Sequence, residues 1–144
     1  MRPRVFFDTN IILDLIQERT GYDAAAQILQ KQEDGDIDVC LSMLSLANVA
    51  YVLRKTLPHT LVSPILKQIS SVMEVLPMDN VQFQQALLLS GRDFEDIMQL
   101  TCAIAGGCTI IITHDPRDFH VGKGLAEDFQ MPEILTPEEY IAIT

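Results

Sequence analysis

The chain has 144 residues, 48% of them apolar, and carries ten Lys and Arg against twenty Asp and Glu for a net charge of −10. That length describes one domain with room for a core, and an apolar content this high without any low-complexity stretch excludes intrinsic disorder. The negative surplus argues against tight, sequence-independent binding of a polyanion by this chain alone, because such binders carry a basic footprint.

No apolar run approaches the length of a membrane span, so no membrane partner is expected. The N-terminus, Met1-Arg2-Pro3-Arg4, leads directly into a strand-like run, without the apolar segment and cleavage site of a signal peptide. Cys40, Cys102 and Cys108 are odd in number, lie in apolar surroundings and lack metal-ligand spacing. They read as reduced core thiols of a cytoplasmic protein.

In chain order, residues 3–7 form an apolar run of strand length that ends at Asp8. From Thr9 or Asn10 to about Gln17, the residues Ile11, Ile12, Leu15 and Ile16 recur at helical spacing. Gly21 breaks that pattern, and a second helix is predicted over Tyr22–Glu33 with Ala25, Ala26, Ile28 and Leu29 buried. Asp34-Gly35-Asp36 is a turn, Ile37–Leu41 a short strand, and Ser42 an N-cap for a helix through Lys55. Pro58 separates this from a helix over about His59–Met73. Glu74–Pro77 follows as a short strand and Asn80–Ser90 as a helix. A helix from about Asp93 to Ala105 is closed by Gly106-Gly107. Thr109–Ile112 is a β-branched run of the buried parallel type, followed by a Thr113–Phe119 loop. His120–Gln130 is weakly patterned. Pro132–Leu135 reads as a last strand, and Thr136-Pro137-Glu138-Glu139 as N-cap, first-position Pro and acidic first turn of a final helix. Strands alternating with helices imply an α/β fold, a mostly parallel sheet between two helical layers. No linker or internal repeat divides residues 1–144.

The chemistry is carried by acids placed where strands end or helices begin. In α/β folds those points gather on one edge of the sheet, and carboxylates crowded there repel one another unless a cation lies between them. Asp8 directly follows a buried run and reads as a metal ligand; its competing role is a helix N-cap, which Thr9 or Asn10 could fill equally well. Asn10 either orients Asp8 by a side-chain hydrogen bond or caps the helix. Asp93, Glu95 and Asp96 are more acid than compensation of a helix dipole requires. Asp93 and Asp96 share a face by i,i+3 spacing and are candidate ligands, whereas Glu95 points elsewhere, to solvent. Asp115 and Asp118 follow a buried strand as Asp8 does and are candidate ligands, although Asp-Pro-Arg-Asp is also a commonplace turn with self-satisfying bonds. Thr113 is placed to hydrogen-bond a ligand carboxylate. His59, His114 and His120 form no zinc pattern and read as surface imidazoles. No phosphate-binding glycine loop, Ser/His/Asp arrangement or paired Cys motif is present.

Three segments, Phe7-Asp8-Thr9-Asn10-Ile11-Ile12-Leu13-Asp14, Asp93-Phe94-Glu95-Asp96-Ile97-Met98-Gln99 and Ile110-Ile111-Ile112-Thr113-His114-Asp115-Pro116-Arg117-Asp118-Phe119, resemble in order and spacing the motifs of the PIN domain family. The likeness spans essentially the whole chain and is closest to stand-alone prokaryotic, VapC-like members. The resemblance implies a five-stranded parallel sheet with helices on both faces, an acidic pocket binding Mg²⁺ or Mn²⁺, and cleavage of single-stranded RNA. It matches Asp8 to the first family acid, Asp96 to the third, and Asp115 or Asp118 to the fourth. The second position departs: where the family usually carries a Glu on the third helix, this chain has Asn48, similar in shape but uncharged. Ser45, Asn48 and Lys55 lie at helical spacing and are expected to turn a polar stripe toward the pocket.

Two functions follow as expectations. One is metal-assisted phosphodiester hydrolysis, with Asp8, Asp96 and a loop Asp holding the cation and Asn48 touching a coordinated water, in a toxin paired with an antitoxin protein. The other is a weakened or inactive module that binds RNA or protein, favoured by Asn48 and the negative charge. An acidic surface suits a basic partner. The apolar helices at Val62–Val72 and Val81–Leu89 offer a homodimer face or simply pack into the core.

Overall fold

A computed structural model describes residues 2–89, 93–120 and 130–144. Its five strands are β1 (Arg4–Phe7), β2 (Asp38–Ser42), β3 (Glu74–Leu76), β4 (Ile110–Ile112) and β5 (Glu133–Leu135). They form one sheet in the order β3-β2-β1-β4-β5, every pair parallel. Helices α1 (Thr9–Gln17), α2 (Tyr22–Glu33), α3 (Met43–Leu53), α4 (His59–Val72), α5 (Asn80–Leu88), α6 (Phe94–Ala105) and α7 (Pro137–Ile143) connect and flank the strands.

The period-two alternation of β1 sorts the core into two layers. Val5 and Phe7 point to one face, where they meet Ile11 and Ile12 of α1, Ile28 of α2, Val49 of α3, Ile69 of α4 and Tyr140 of α7. Phe6 points to the other, against Ala86 of α5, Ile97 and Leu100 of α6, and Phe119. Burial on both faces is why the strands read as unbroken apolar runs. The chain winds outward from β1 through β2 to β3, then returns to place β4 on the other side of β1. The carboxyl ends of β1 and β4 therefore flank the point where the strand order reverses, where α/β sheets open a crevice.

Helix starts are set by local chemistry. Ser42 Oγ accepts from the Ser45 amide at 2.9 Å to cap α3. Asp79 and Gln82 form a reciprocal capping box on α5, as Thr136 and Glu139 do on α7. α1 ends at Gln17 as expected, with Glu18 as its C-cap, whose backbone is left-handed with φ 49°. α3 ends at Leu53, so Lys55 lies beyond it. The expected Thr113–Phe119 loop contains a 3-10 turn over Pro116–Phe119. Ser90, expected as the end of α5, and residues 121–129 of the weakly patterned segment lie outside the described residues.

The two apolar helices differ. Val62 and Ile69 of α4 are buried in the core, whereas Val81, Leu87 and Leu88 of α5 are exposed by 60%, 56% and 62%. Core packing accounts for Val62 and Ile69 but not for Val72 of α4, which is 42% exposed, nor for that face of α5. The three cysteines are free and buried. No helix among the described residues is long and apolar enough to cross a membrane.

Candidate active site

A cleft of about 410 Å³ opens at the carboxyl ends of β1 and β4. Its walls carry Asp8, Asp93, Glu95, Asp96, Asp115 and Asp118, together with Thr9, Asn10, Asn48, Thr113 and His114. Tyr51, Val52 and Leu13 complete its lining. Residues separated by more than a hundred positions are gathered here because parallel strands deliver their carboxyl ends to the same edge.

Asp8 is both a cleft carboxylate and the N-cap of α1: its Oδ1 accepts from the Thr9 amide at 2.8 Å. Its Oδ2 accepts from Thr113 Oγ1 at 2.9 Å. Burial raises the Asp8 pKa and the Glu95 charge adds to that, while the bonds from Thr113 and Thr9 pull the other way. Asp96 sits in the first turn of α6 and is pushed up to about 7, first by burial and then by repulsion from Asp8, Asp93, Asp118 and Glu95. Among the described residues the cleft therefore gathers more carboxylates than cations, with Arg117 against Asp115 and His114 acting on Asp8. Apart from His114, which is paired with Asp14, the polar side chains of the cleft offer hard oxygens, the kind Mg²⁺ and Mn²⁺ take. Among the described residues no three Asp, Glu, His or Cys side chains stand close enough together, as placed, to hold a metal ion. The donor set suits a cation that keeps much of its own water and is held by few carboxylates.

Asp93 caps α6, its Oδ1 accepting from the amides of Glu95 at 2.9 Å and Asp96 at 3.4 Å. Its backbone is extended rather than helical, so Asp93 meets Asp96 as its helix cap and cleft neighbour and not along a helical face. Asp115 is half-exposed and lies 3.8 Å from Arg117 Nε, a loose surface pair of little energetic weight. Asp118 is among the charges that act on Asp96.

Several side chains are placed otherwise than the pattern suggested. Asn10 is exposed on the cleft wall and is not the cap of α1, a role filled by Asp8. Ser45 is fully buried behind the wall. It accepts from Gln99 Nε2 at 2.8 Å and lies 2.9 Å from Thr9 Oγ1. Lys55 Nζ lies over the Tyr51 ring, 4.6 Å from its centroid. Of the expected stripe only Asn48 lines the cleft; Ser45 is turned inward by the α3 wheel and Lys55 falls past the helix end. Glu95 is exposed, as expected, and its side chain also meets α3, where Asn48 Nδ2 donates to its Oε1 at 2.5 Å.

Sequence patterns missed two buried polar groups. Gln99 is 1% exposed and bridges three elements: Ser42 Oγ donates to its Oε1 at 2.5 Å, and its Nε2 reaches Ser45 and, at 3.3 Å, Thr9. A polar residue amid Ile97, Leu100 and Ala103 was the available signal. Asp14, 4% exposed on α1, lies with Oδ2 2.5 Å from His114 Nε2. A Cβ added to Gly21 would collide with that carboxylate, so Gly21 serves close approach there. His114 is therefore paired rather than a free surface imidazole.

Comparison with known proteins agrees with this architecture. The family model described as "PIN domain" matches residues 4–117. Similar solved structures include VapBC2 from Rickettsia felis bound to a promoter DNA fragment, at 16% identity and a TM-score of 0.64 over 91% of this chain and 96% of that one. DNA-bound VapBC from Salmonella typhimurium matches at 18% identity and a TM-score of 0.62, covering 94% and 98%. VapC20 from Mycobacterium tuberculosis, a sarcin-ricin loop cleaving toxin, matches at 16% and 0.57, covering 74% and 86%. No curated protein matches the chain. At such identities the structural likeness is one of fold, while the family match extends over most of the sequence. The chain belongs to the PIN domain family.

Proposed function

We propose that the protein is a metal-dependent endoribonuclease that hydrolyses phosphodiester bonds of single-stranded RNA, as the toxin of a toxin–antitoxin pair. The observation that carries this reading is the convergence of Asp8, Asp96 and Asp118 on one cleft of a PIN domain, with Asp96 pushed up to about 7 by its neighbours. Asp8, Asp96 and a loop carboxylate would hold Mg²⁺ or Mn²⁺; Asp118 is favoured of the two loop acids, because its charge is among those that act on Asp96. The bound cation supplies a water of lowered pKa and neutralises charge on the phosphate oxygens. Thr113 and the Thr9 amide each hold one oxygen of the Asp8 carboxylate, which lines the cleft. Tyr51 lines the cleft and is 57% exposed, with Lys55 and Arg54 over its ring at 4.6 and 5.9 Å. An aromatic surface beside two cations is the combination that holds single strands by stacking and phosphate contact. It offers RNA a local foothold despite the chain's net charge.

The antitoxin partner is supported by toxin–antitoxin complexes of the same fold. A second cleft, of about 330 Å³, is lined by Ile12, Leu15 and Ile16 of α1, Leu29 of α2, and Ile65 and Ile69 of α4. We assign it to an apolar segment of a partner whose basic residues meet the acidic surface. The exposed α5 face is assigned to a second copy of the chain. The competing reading, a non-catalytic RNA- or protein-binding module, is favoured by the uncharged Asn48.

The test is cleavage of a defined single-stranded RNA with Mn²⁺ and with chelator, beside Asp8→Asn and Asp96→Asn. Metal-dependent cleavage lost in both variants is expected. Equal cleavage by all three proteins refutes the assignment, and absence of Mn²⁺ binding at millimolar metal supports the module.

A further inference from the structure

We propose that Glu95, steered by Asn48, supplies the carboxylate that the PIN resemblance places on the third helix, so that the negative charge has moved from α3 to the first turn of α6. The inference rests on the metal-site reading above and assigns to that site a further residue.

Asn48 is half-buried on the α3 wall of the cleft, and its Nδ2 donates to Glu95 Oε1 at 2.5 Å. Glu95 lines the same cleft, one residue before Asp96. Its charge is felt at both Asp8 and Asp96, which lie on different elements. A glutamate serving only the α6 dipole needs no partner on another helix, and ordering its long side chain costs rotamer entropy. Glu95 is exposed, yet the cross-helix hydrogen bond from Asn48 holds its side chain and offsets part of that cost.

Asparagine is also the side chain that permits this arrangement. A glutamate at position 48 would set two carboxylates against each other where a donor and an acceptor now meet. The Asn48 amide thus turns a repulsion into an orienting contact and leaves Oε2 of Glu95 uncommitted to that bond. The loss of charge at position 48 and the presence of charge at position 95 are complementary features of one site. Asn48 is a positioning residue, and Glu95 is the group that meets the cation or one of its waters.

The experiment is a calorimetric Mn²⁺ titration of the full chain at fixed ionic strength, with the Mn²⁺ electron-spin-resonance signal as a second readout. The variants are Glu95→Gln, Asn48→Ala, Asp8→Asn, and the double exchange Asn48→Glu with Glu95→Gln. Glu33→Gln, exposed on α2 away from the cleft, controls for net charge. Glu95→Gln is expected to weaken binding by about 10-fold or more, Asn48→Ala by a smaller factor, and Glu33→Gln not at all. The double exchange, which returns a carboxylate to α3, is expected to recover affinity, an outcome that a merely structural role for Glu95 would not produce. Wild-type affinity in Glu95→Gln alongside lost binding in Asp8→Asn overturns the inference and leaves the site standing. Absence of Mn²⁺ binding by the wild type overturns both.

Discussion

Thr113 Oγ1 donates to Asp8 Oδ2 across 2.9 Å, joining residues 105 positions apart at the carboxyl ends of β4 and β1. The two strands are direct neighbours, paired from Val5↔Ile110 to Phe7↔Ile112. The register therefore brings the residue after each strand into side-chain reach of the other. Asp8 is held by this hydroxyl on one oxygen and by the Thr9 amide on the other. Its placement depends on the sheet as much as on α1.

Removing that hydroxyl isolates the contribution of the sheet. Thr113→Val keeps the β-branched shape of a residue only 1% exposed while deleting the donor. The carboxylate then loses one of its two ties, and metal-dependent cleavage is expected to fall by about 10- to 100-fold. Stability should drop by no more than about 1–3 kcal/mol. Single-turnover cleavage and urea unfolding measure the two effects separately, and wild-type turnover in this variant would rule out an orienting role.

Asp8 combines two functions that substitutions can separate. Asn caps helices about as well as Asp, so Asp8→Asn should abolish cleavage while leaving the thermal midpoint close to wild type or above it. Asp8→Ala removes the cap as well and should cost about 0.5–2 kcal/mol. Equal stability of the two variants in denaturant would show that the cap to Thr9 contributes nothing.

The layers of the fold were legible because their cause is local. Alternation at Val5-Phe6-Phe7 and the β-branched run Ile110-Ile111-Ile112 state burial on both faces, and caps such as Ser42 and Thr136 mark helix starts. Boundaries shifted where helix ends lack a strong local signal: α3 stops at Leu53 short of Lys55, and Asp93 caps α6 instead of starting its wheel. Within the cleft, the acids at strand ends were visible from position alone. The pairings Asn48–Glu95 and Asp14–His114, and the Gln99 bridge, were not. Each joins elements whose relative placement is a tertiary property. Helical spacing rightly leaves Glu95 exposed but says nothing about what a neighbouring helix offers it.

Gln99 lies beneath the cleft floor and satisfies Ser42, Ser45 and Thr9 together. Gln99→Leu conserves volume but strands buried hydroxyls, so a loss of about 1–3 kcal/mol is expected in chemical denaturation. Since Thr9 follows Asp8, cleavage should decline as well. A variant as stable as wild type would mean the serines find other partners.

The exposed α5 face carries its own expectation. Val81, Leu87 and Leu88 present apolar surface, beside Phe83, whose ring packs edge-on against Phe94 at 5.9 Å. If a second copy covers this face, Leu87→Glu combined with Leu88→Glu should convert a dimer to a monomer in sedimentation equilibrium without lowering the monomer's helicity. A wild-type chain that sediments as a monomer at all accessible concentrations contradicts the assignment.

The crowded carboxylates also dictate a pH dependence. Asp96 has an ordinary value of 3.8 and is raised to about 7 in the folded chain, and Asp8 is raised as well. Between those two values the folded state holds a proton that the unfolded state has released, so stability falls as pH rises through that window. Solvent screening limits the size of the effect at a partly exposed group, but not its sign. Glu74, lowered by its hydrogen bond to Arg4 from an ordinary 4.5, acts oppositely, and its contribution is already complete above the usual carboxylate range. The metal-free protein should therefore melt lower at about pH 8 than at about pH 5. Asp96→Asn should flatten that slope and raise the melting point at the higher pH, while added Mn²⁺ should stabilise wild type more there than at the lower pH. Differential scanning calorimetry in chelator and in Mn²⁺ decides this. A melting point that climbs from the lower pH to the higher in chelator would mean the cleft acids are not under the mutual repulsion described here.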